Sequence, residues 1–291
     1  MHRSLLFIPG NNPAMLQNAD IFGADALIID LEDAVSAVEK NAARELVKEY
    51  LKTWEFGKTE VMVRINGART DEYKRDIEAV VCAKLDAIVF PKADVESLYD
   101  LDLFLTETEA MNGVTKKIAI VAIVETATGV VETDDIATMP RVRAILLGGE
   151  DLATDMEIVR TKAGAEIAYP RARVAFACKA ADIDAIDTPF TDVTDGEGLE
   201  ADAQTARSLG FSGKAVIHPN QIEAVHRTFS PTPEQIRWAR RVITAAAIPA
   251  NQKKGAFGLD GKMIDKPVIQ RARRLIQKAA LCGLIGENDE Q

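Results

Sequence analysis

The sequence is poor in cysteine and histidine, and this shortage excludes several classes of protein. Its three cysteines, Cys82, Cys178 and Cys282, form no Cys-x-x-Cys pair, so neither a zinc ribbon nor a disulfide framework is expected. Only three histidines are present, which leaves few imidazoles for a metal centre. Widely spaced single cysteines are typical of a reducing compartment, and we therefore expect a cytoplasmic protein.

Long apolar stretches and an excess of positive charge are also lacking. No apolar run approaches the roughly 20 residues of a membrane span, and the run at residues 5–8 is too short for a signal peptide. The formal net charge is −10, which argues against a nucleic-acid-binding surface. It does not exclude an anionic ligand, because a few cationic side chains can reverse the potential inside a cleft. We expect neither a membrane nor a nucleic acid as partner.

What the sequence does have is a regular alternation of apolar runs and helical segments. The 291 residues are 47% hydrophobic and 27% charged, which is enough for a large core. Continuous apolar runs are typical of parallel strands buried on both faces. Eight such runs lie at residues 4–8, 26–31, 60–65, 87–90, 118–124, 142–147, 185–188 and 214–217. Helical segments separate them at residues 12–22, 36–51, 71–83, 95–111, 131–139, 170–181 and 196–209.

This alternation predicts an α/β fold with a parallel sheet. Eight repeats without a change of composition favour a closed (β/α)8 TIM barrel, and an open doubly wound sheet is the alternative. Such a barrel takes roughly 250 residues. We assign residues 1–229 to the barrel and expect them to form the catalytic domain.

A different pattern follows the breaker Ser230-Pro231-Thr232-Pro233, and we assign residues 230–291 to a C-terminal helical lid extension. Helices are predicted at residues 234–247 and 267–281, joined by a glycine-containing loop at 248–265. Such a loop is long for a plain connector. We interpret it as a lid or a subunit-swapped segment, with a mobile surface loop as the alternative.

Polar residues end nearly every predicted strand. In barrels the active site lies at the carboxyl ends of the strands, so these acids and bases should meet on one rim. From the first strand to the eighth, the ends are Pro9-Gly10-Asn11, Asp30-Leu31-Glu32-Asp33, Arg64-Ile65-Asn66, Pro91-Lys92, Glu125-Thr126, Gly148-Gly149-Glu150-Asp151, Asp187 and His218-Pro219.

Glu125 and Asp151 end consecutive strands and form the predicted metal site. Neighbouring carboxylates repel one another unless a cation lies between them, and oxygen ligands at an open site suit Mg²⁺ or Mn²⁺. Gly148-Gly149 would let a ligand approach the backbone. The alternative for a single acid at a strand end is an N-cap on the next helix. That suits Asp33 better than Glu125, because Glu125 closes a fully apolar run.

Three basic residues on the predicted rim are candidates for substrate contacts. The planar fork of Arg64 would bind a carboxylate or a thioester oxygen, or else form an internal ion pair with Asp30 or Glu32. Lys92 would serve as a cationic substrate contact or as a Schiff-base nucleophile. His218 either orients a ligand or is structural.

Several segments occur together in a family-specific order. They are Ser4-Leu5-Leu6-Phe7-Ile8-Pro9-Gly10, Asp30-Leu31-Glu32-Asp33-Ala34-Val35, Arg64-Ile65-Asn66, Val124-Glu125-Thr126, Gly149-Glu150-Asp151, Asp187-Thr188-Pro189-Phe190, Gly213-Lys214, His218-Pro219 and Gly261-Lys262-Met263-Ile264-Asp265. In this combination the chain resembles the citrate lyase β-subunit family of the HpcH/HpaI aldolase superfamily, over essentially its whole length. That family also includes malyl-CoA, methylmalyl-CoA and citramalyl-CoA lyases.

The resemblance implies a Mg²⁺-dependent barrel that assembles into a homotrimer or hexamer. It implies that Glu125 and Asp151 are the metal ligands and that Arg64 is catalytic and contacts the substrate. Asp265 resembles the catalytic acid that such lyases insert from a neighbouring subunit. Further substrate contacts are expected at Arg3 (toward the anionic carrier of the thioester), Glu125, Gly149, Glu150, Ile217 and His218.

The implied reaction is a retro-aldol cleavage of citryl-CoA, or of a citryl-carrier thioester, to oxaloacetate and an acetyl thioester. The implied partners are a citrate lyase α-subunit and an acyl-carrier protein. Complex-forming β-subunits tend to have Asn at the position of His218. This difference leaves open a malyl-CoA or citramalyl-CoA lyase, or a malyl-CoA thioesterase, that acts alone. A non-catalytic role within a lyase complex is a further alternative.

Overall fold

A computed structural model of the chain describes residues 2–252 and 255–286. The chain forms two compact units, Met1–Phe229 and Ser230–Gln291. Each unit has a hydrophobic core of its own. The assignment of the first unit as a catalytic domain and of the second as a lid concerns function, and it stays a prediction.

The first unit is a closed barrel of eight parallel strands, in which each strand pairs with its neighbours along the chain and β1 pairs with β8. The predicted (β/α)8 barrel is thus confirmed, and the open sheet is excluded. The strands are β1 (Ser4–Pro9), β2 (Ala26–Asp30), β3 (Glu60–Arg64), β4 (Ala87–Phe90), β5 (Ala119–Val124), β6 (Val142–Leu147), β7 (Asp184–Asp187) and β8 (Gly213–Val216).

The strands are apolar throughout because both faces are buried. Alternate residues, such as Ile28, Met62 and Val121, fill the interior of the barrel. The residues between them, such as Leu27 and Val63, pack outward against the helices. This double burial is what produces continuous apolar runs instead of an alternating pattern.

Helices cover the outside of the barrel. They are α1 (Pro13–Leu16), α2 (Lys40–Thr53), α3 (Glu72–Val80), α4 (Val95–Met111), α5 (Ala127–Val131), α6 (Thr133–Thr138), α7 (Gly149–Asp155), α8 (Ala168–Ala181), α9 (Gly196–Leu209) and α10 (Ile222–Phe229). Short 3-10 helices lie at Asp20–Phe22, Ala37–Glu39, Ala165–Ile167 and Pro219–Gln221. Across residues 2–252 and 255–286, no helix combines the length and apolarity needed to cross a bilayer.

The predicted helices at 12–22 and 131–139 differ from the structure. The segment at 12–22 forms only α1 and a 3-10 turn that ends at Gly23, which adopts a left-handed conformation with φ 74°. The segment at 131–139 is replaced by α5 and α6, because the helix begins earlier than predicted. Thr126 caps α5 by accepting a hydrogen bond from the backbone N–H of Gly129.

The second unit contains three helices and a hairpin among its described residues. They are α11 (Pro233–Ala247), α12 (Pro249–Gln252), β9 (Ala256–Leu259), β10 (Lys262–Asp265) and α13 (Lys266–Leu281). Helices α11 and α13 pack against each other through small and apolar residues such as Ala239, Val242 and Ile276.

Among its described residues, the segment predicted as a loop at 248–265 contains α12 and the hairpin of β9 and β10. Strands β9 and β10 are antiparallel and are joined by Asp260-Gly261, whose φ angles are 51° and 74°. A two-residue Asp-Gly connection with both φ angles positive is the preferred turn for the twist of a hairpin. The glycines at 248–265 predict a loop, whereas in the structure the residues on either side of Asp260-Gly261 pair as strands.

Candidate active site

Residues from six strands or the segments that follow them meet at the carboxyl-terminal rim of the barrel, around a cavity of about 140 Å³. The cavity is lined by Phe7, Asp33, Arg64, Ile123, Glu125, Leu146, Gly148, Gly149, Glu150, Asp151, Thr188 and Pro189. The structure therefore brings together five of the predicted site residues, namely Arg64, Glu125, Gly149, Glu150 and Asp151.

Glu125 follows β5 directly and is only 4% exposed. Its Oε1 accepts a hydrogen bond from the backbone N–H of Lys92, with an N–O distance of 2.8 Å. Burial raises the pKa of Glu125 to about 8, helped by the negative charges of Asp151 and Glu32. An acid in this position needs a cation nearby if it is to ionise readily.

Gly148 makes room for the Glu125 carboxylate. A Cβ atom at position 148 would lie 2.4 Å from Oε2 of Glu125, closer than non-bonded atoms approach. The absence of a side chain is therefore required at this point. Gly149 is confined on its other side, where a Cβ would lie 2.9 Å from Oγ1 of Thr188.

Asp151 lies in the first turn of α7, which begins at Gly149. The backbone N–H of Gly149 donates to Oγ1 of Thr188 at 3.0 Å, and this bond fixes the start of the helix against the end of β7. The Asp151 side chain is 39% exposed and faces the cavity. It is therefore accessible to a ligand, whereas Glu125 lies deeper.

The residues present fit a hard divalent cation. Glu125 and Asp151 offer carboxylate oxygens at a shared cavity, and Gly148 and Gly149 leave the space beside them free of side chains. In the described part of the chain, no group of three or more His, Cys, Asp or Glu side chains is arranged to hold a metal ion. Two protein ligands, with water and substrate completing the shell, are the usual arrangement for Mg²⁺ at a catalytic site.

Arg64 is held by acidic neighbours. Its Nε and Nη2 atoms donate to the two carboxylate oxygens of Asp30 at 2.7 and 2.6 Å, and its Nη1 lies 3.1 Å from Glu32. The guanidinium also lies over the ring of Phe7, 5.2 Å from the ring centre. The internal ion pair, one of the two alternatives from the sequence, is therefore what the structure shows. Arg64 nevertheless lines the cavity, so the pair orients a group that substrate can reach.

Lys92 contacts two acids through its ammonium group. Its Nζ lies 3.2 Å from Oε1 of Glu32 and 3.3 Å from Oδ2 of Asp151. Burial acts to lower the pKa of Lys92, but the charges of Glu32, Glu125 and Asp151 outweigh it and raise the pKa. A Schiff-base lysine needs a neutral amine, so these surroundings disfavour that alternative.

The remaining predicted substrate contacts of the barrel lie in different places. Ile217 and His218 follow β8 and so lie at the carboxyl-terminal rim, but neither lines the cavity. His218 caps a 3-10 helix, its Nδ1 accepting from the backbone N–H of Asn220. Glu150 lines the cavity and forms an ion pair with Arg160 at 3.2 Å.

Arg3 lies away from the carboxyl-terminal rim. It precedes β1, at the amino-terminal end of the barrel, and its guanidinium donates to both carboxylate oxygens of Asp25 at 2.9 and 2.7 Å. The fold therefore separates Arg3 from the rim by the length of a strand. We do not include it in the proposed site.

Asp265 lies in the second unit, where it ends β10 and caps α13. Its Oδ1 accepts from the backbone N–H of Val268 at 3.1 Å.

Asp187, the polar residue at the end of β7, is fully buried among ion-pair partners and does not line the cavity.

Sequence reasoning missed the roles of two residues at the rim. Thr188 was part of a matching segment, but nothing in the sequence indicates that its hydroxyl accepts from Gly149. Lys92 was recognised as a cation, whereas its contacts with three carboxylates depend on a backbone conformation that the sequence does not announce. A lysine with a positive φ has no sequence signal comparable to glycine.

Comparison with known proteins identifies the family. Residues 3–219 match the profile of the HpcH/HpaI aldolase/citrate lyase family. The chain belongs to this family. It is 41% identical over 282 residues to the citrate lyase subunit beta of Leuconostoc mesenteroides subsp. cremoris, covering 96% of this chain and 93% of the relative. It is also 35% identical over 283 residues to a (3S)-malyl-CoA thioesterase of Cereibacter sphaeroides, covering 95% and 94%.

Solved structures of family members have the same fold. The Mycobacterium tuberculosis protein CitE, crystallised in complex with magnesium, acetoacetate and coenzyme A, superposes with a TM-score of 0.78 at 30% identity. The superposition covers 96% of this chain and 98% of CitE. The resemblance to the citrate lyase β-subunit family is thus confirmed. Its membership makes the chain an enzyme of the carbon–carbon lyase type.

Proposed function

We propose that the chain is a Mg²⁺-dependent lyase that cleaves a citryl thioester to oxaloacetate and an acetyl thioester. The observation that carries this proposal is the pair Glu125 and Asp151, which face one cavity beside a fixed Arg64. The similarity to citrate lyase β-subunits and the magnesium in the CitE crystal support it. Mn²⁺ has the same preference for oxygen ligands and would replace Mg²⁺.

Glu125 and Asp151 would hold the cation. When bound, magnesium would supply Lewis-acid polarisation and a template for the hydroxy acid. In the cleavage itself, the hydroxyl would give up its proton to solvent, its oxygen would become the keto oxygen of oxaloacetate, and the bond to the methylene carbon of the acetyl thioester would break. The electron pair of that bond passes to the acetyl thioester as an enolate, which then takes up a proton.

Arg64 would stabilise the negative charge that develops during cleavage. The bidentate pair with Asp30 fixes the guanidinium before substrate arrives, so little reorganisation is needed in the transition state. A preorganised donor of this kind contributes about 3 kcal/mol to lowering the barrier. Asp265 would protonate the enolate, as the family resemblance implies.

The substrate is proposed as a citryl group on coenzyme A or on an acyl-carrier protein, within a complex that contains a citrate lyase α-subunit. The higher identity to citrate lyase β-subunits, 41% against 35% for the malyl-CoA thioesterase, favours this choice. His218, where complex-forming subunits tend to have Asn, is the observation in favour of an enzyme that acts alone. A homotrimer or hexamer is part of the proposal.

A panel of citryl-CoA, malyl-CoA and citramalyl-CoA, each assayed with Mg²⁺ and with a chelator, tests the proposed reaction. We expect oxaloacetate and acetyl-CoA from citryl-CoA, and no turnover after chelation. Release of free thiol without an oxo acid would mean a thioesterase. Turnover that needs an added acyl-carrier protein and α-subunit would identify a complex subunit.

A further inference from the structure

One residue contacts both proposed metal ligands and a third acid, Glu32. The Lys92 ammonium lies 3.2 Å from Glu32 and 3.3 Å from Asp151, and the Lys92 backbone N–H donates to Glu125 at 2.8 Å. The side chain is 49% exposed at the edge of the cluster. It therefore adds a positive charge to the place where a metal would bind.

The backbone of Lys92 is built for this double contact. Its φ is 50°, in the left-handed region that residues with a side chain rarely adopt. Non-glycine residues in this region are costly and persist where the surrounding structure over-determines them, which is often at functional sites. Here the turn after β4 directs the N–H of Lys92 to Glu125 and its side chain to Glu32 and Asp151.

We propose that Lys92 is a positioning residue whose ammonium competes with the cation for Asp151 and so keeps the metal affinity moderate. The proposal rests on the proposed metal site. A lysine ammonium is a compact point charge that forms no fixed fork with a carboxylate, so it gives up one partner readily. Glu32 keeps the ammonium close after Asp151 turns to the metal.

The sign of the effect separates this role from simple structural support. A positive charge a few ångströms from a cation site repels the cation and weakens its binding. Near a protein surface this repulsion is large enough to change the measured affinity. Removing the charge should therefore tighten metal binding. If Lys92 only held the carboxylates in place, removing it would loosen them and weaken metal binding.

The test measures how tightly the full chain binds Mn²⁺ after bound metal has been removed with a chelator and without substrate present. The concentration of free Mn²⁺ is read from its electron paramagnetic resonance signal. Lys92→Met keeps the side-chain length, the backbone N–H and the positive φ while removing the charge. We expect it to bind Mn²⁺ about tenfold more tightly than the natural chain. Lys92→Arg keeps the charge and should stay within about threefold of the natural chain.

Weaker or unchanged Mn²⁺ binding by Lys92→Met would overturn the proposal. Circular dichroism checks the fold, and Lys92→Gln replaces Lys92→Met if the latter does not fold. Glu125→Gln serves as the reference for the metal site itself. If it binds Mn²⁺ like the natural chain, the proposed site is wrong. If it loses Mn²⁺ while Lys92→Met also weakens binding, only the competition by Lys92 is wrong.

Discussion

Two of the charge clusters in the barrel differ in their balance. The first is the β7–β8 network of Arg171, Asp187, Asp202 and Lys214, in which two cations meet two carboxylates. Lys214 is fully buried, and its Nζ also donates to the backbone carbonyl of Thr188 at 2.6 Å. Every charge in this network has an opposite partner within 3.0 Å.

The second group is the acidic rim, which contains five carboxylates and two cations beside the separate ion pair of Glu150 and Arg160. The carboxylates are Asp30, Glu32, Asp33, Glu125 and Asp151, and the cations are Arg64 and Lys92. In a balanced network each buried charge already has an opposite partner, so no further ion is needed. Such a network can therefore hold strands together. An unbalanced one is stabilised by a further cation. The comparison indicates that charge balance distinguishes the β7–β8 network from the proposed cation site.

The largest expected effect comes from the acidic rim. Glu125→Gln or Asp151→Asn removes one negative ligand of the proposed cation and should reduce metal-dependent turnover on the order of a thousandfold or more. Stability should stay within about 1 kcal/mol, because the rim loses repulsion together with charge. Turnover assays and calorimetric Mg²⁺ titration measure the two effects. Full activity in either variant would refute the metal assignment.

The β7–β8 network should respond in the opposite way. Lys214→Met leaves Asp187 and Asp202 with a single cation and should lower the free energy of unfolding by about 3–5 kcal/mol. Lys179→Met, at an exposed lysine 3.6 Å from Asp182, is the control and should change it by less than about 0.5 kcal/mol. Urea denaturation gives both values. Equal stability of the two variants would mean that the network is not structural.

Thr188 connects the two groups, since it accepts from Gly149 and its carbonyl accepts from Lys214. Thr188→Val leaves the Gly149 N–H buried without an acceptor, at a cost of about 1–3 kcal/mol. It should also weaken Mn²⁺ binding by about tenfold, because Asp151 lies in the same helical turn. Thr188→Ser keeps the acceptor and should retain both properties. An affinity that is equal in the two variants would show that the two groups are independent.

The smallest effect concerns a third charge cluster, at the amino-terminal end of the barrel. Burial acts to lower the pKa of His2, but the hydrogen bond with Asp184 and the Glu60 carboxylate 2.9 Å from Nε2 outweigh it, and the pKa is raised above 6.5. The stabilisation is therefore fully present below the unfolded pKa and is lost as pH rises through the folded one.

The His2 effect is measured as the unfolding free energy at about pH 6 and about pH 9 in the natural chain and in His2→Gln. The natural chain should lose more stability than the variant as pH rises. An identical change in both proteins would show that His2 does not contribute.

The barrel could be predicted from the sequence because its signals are local. Each strand is an apolar run, and the polar residue after it lies on the rim once the sheet is parallel. Glu125 and Asp151 could be found in this way. The pairing of side chains could not be predicted. Whether Arg64 contacts substrate or Asp30 depends on the register of β2 and β3, and that register places Asp30 beside Arg64. The contacts of Lys92 depend on its positive φ angle. The hairpin at Asp260-Gly261 depends on the pairing of the two strands that flank the turn.

The account depends on one divalent cation held between two side chains. A crystal of the chain grown with magnesium and oxaloacetate tests this most directly, because electron density shows the ion and its ligands together. We predict one ion bound by the carboxylates of Glu125 and Asp151, with oxaloacetate and water completing the shell and Lys92 turned toward Glu32. An ion bound elsewhere, or these two carboxylates turned away from each other, would contradict the account.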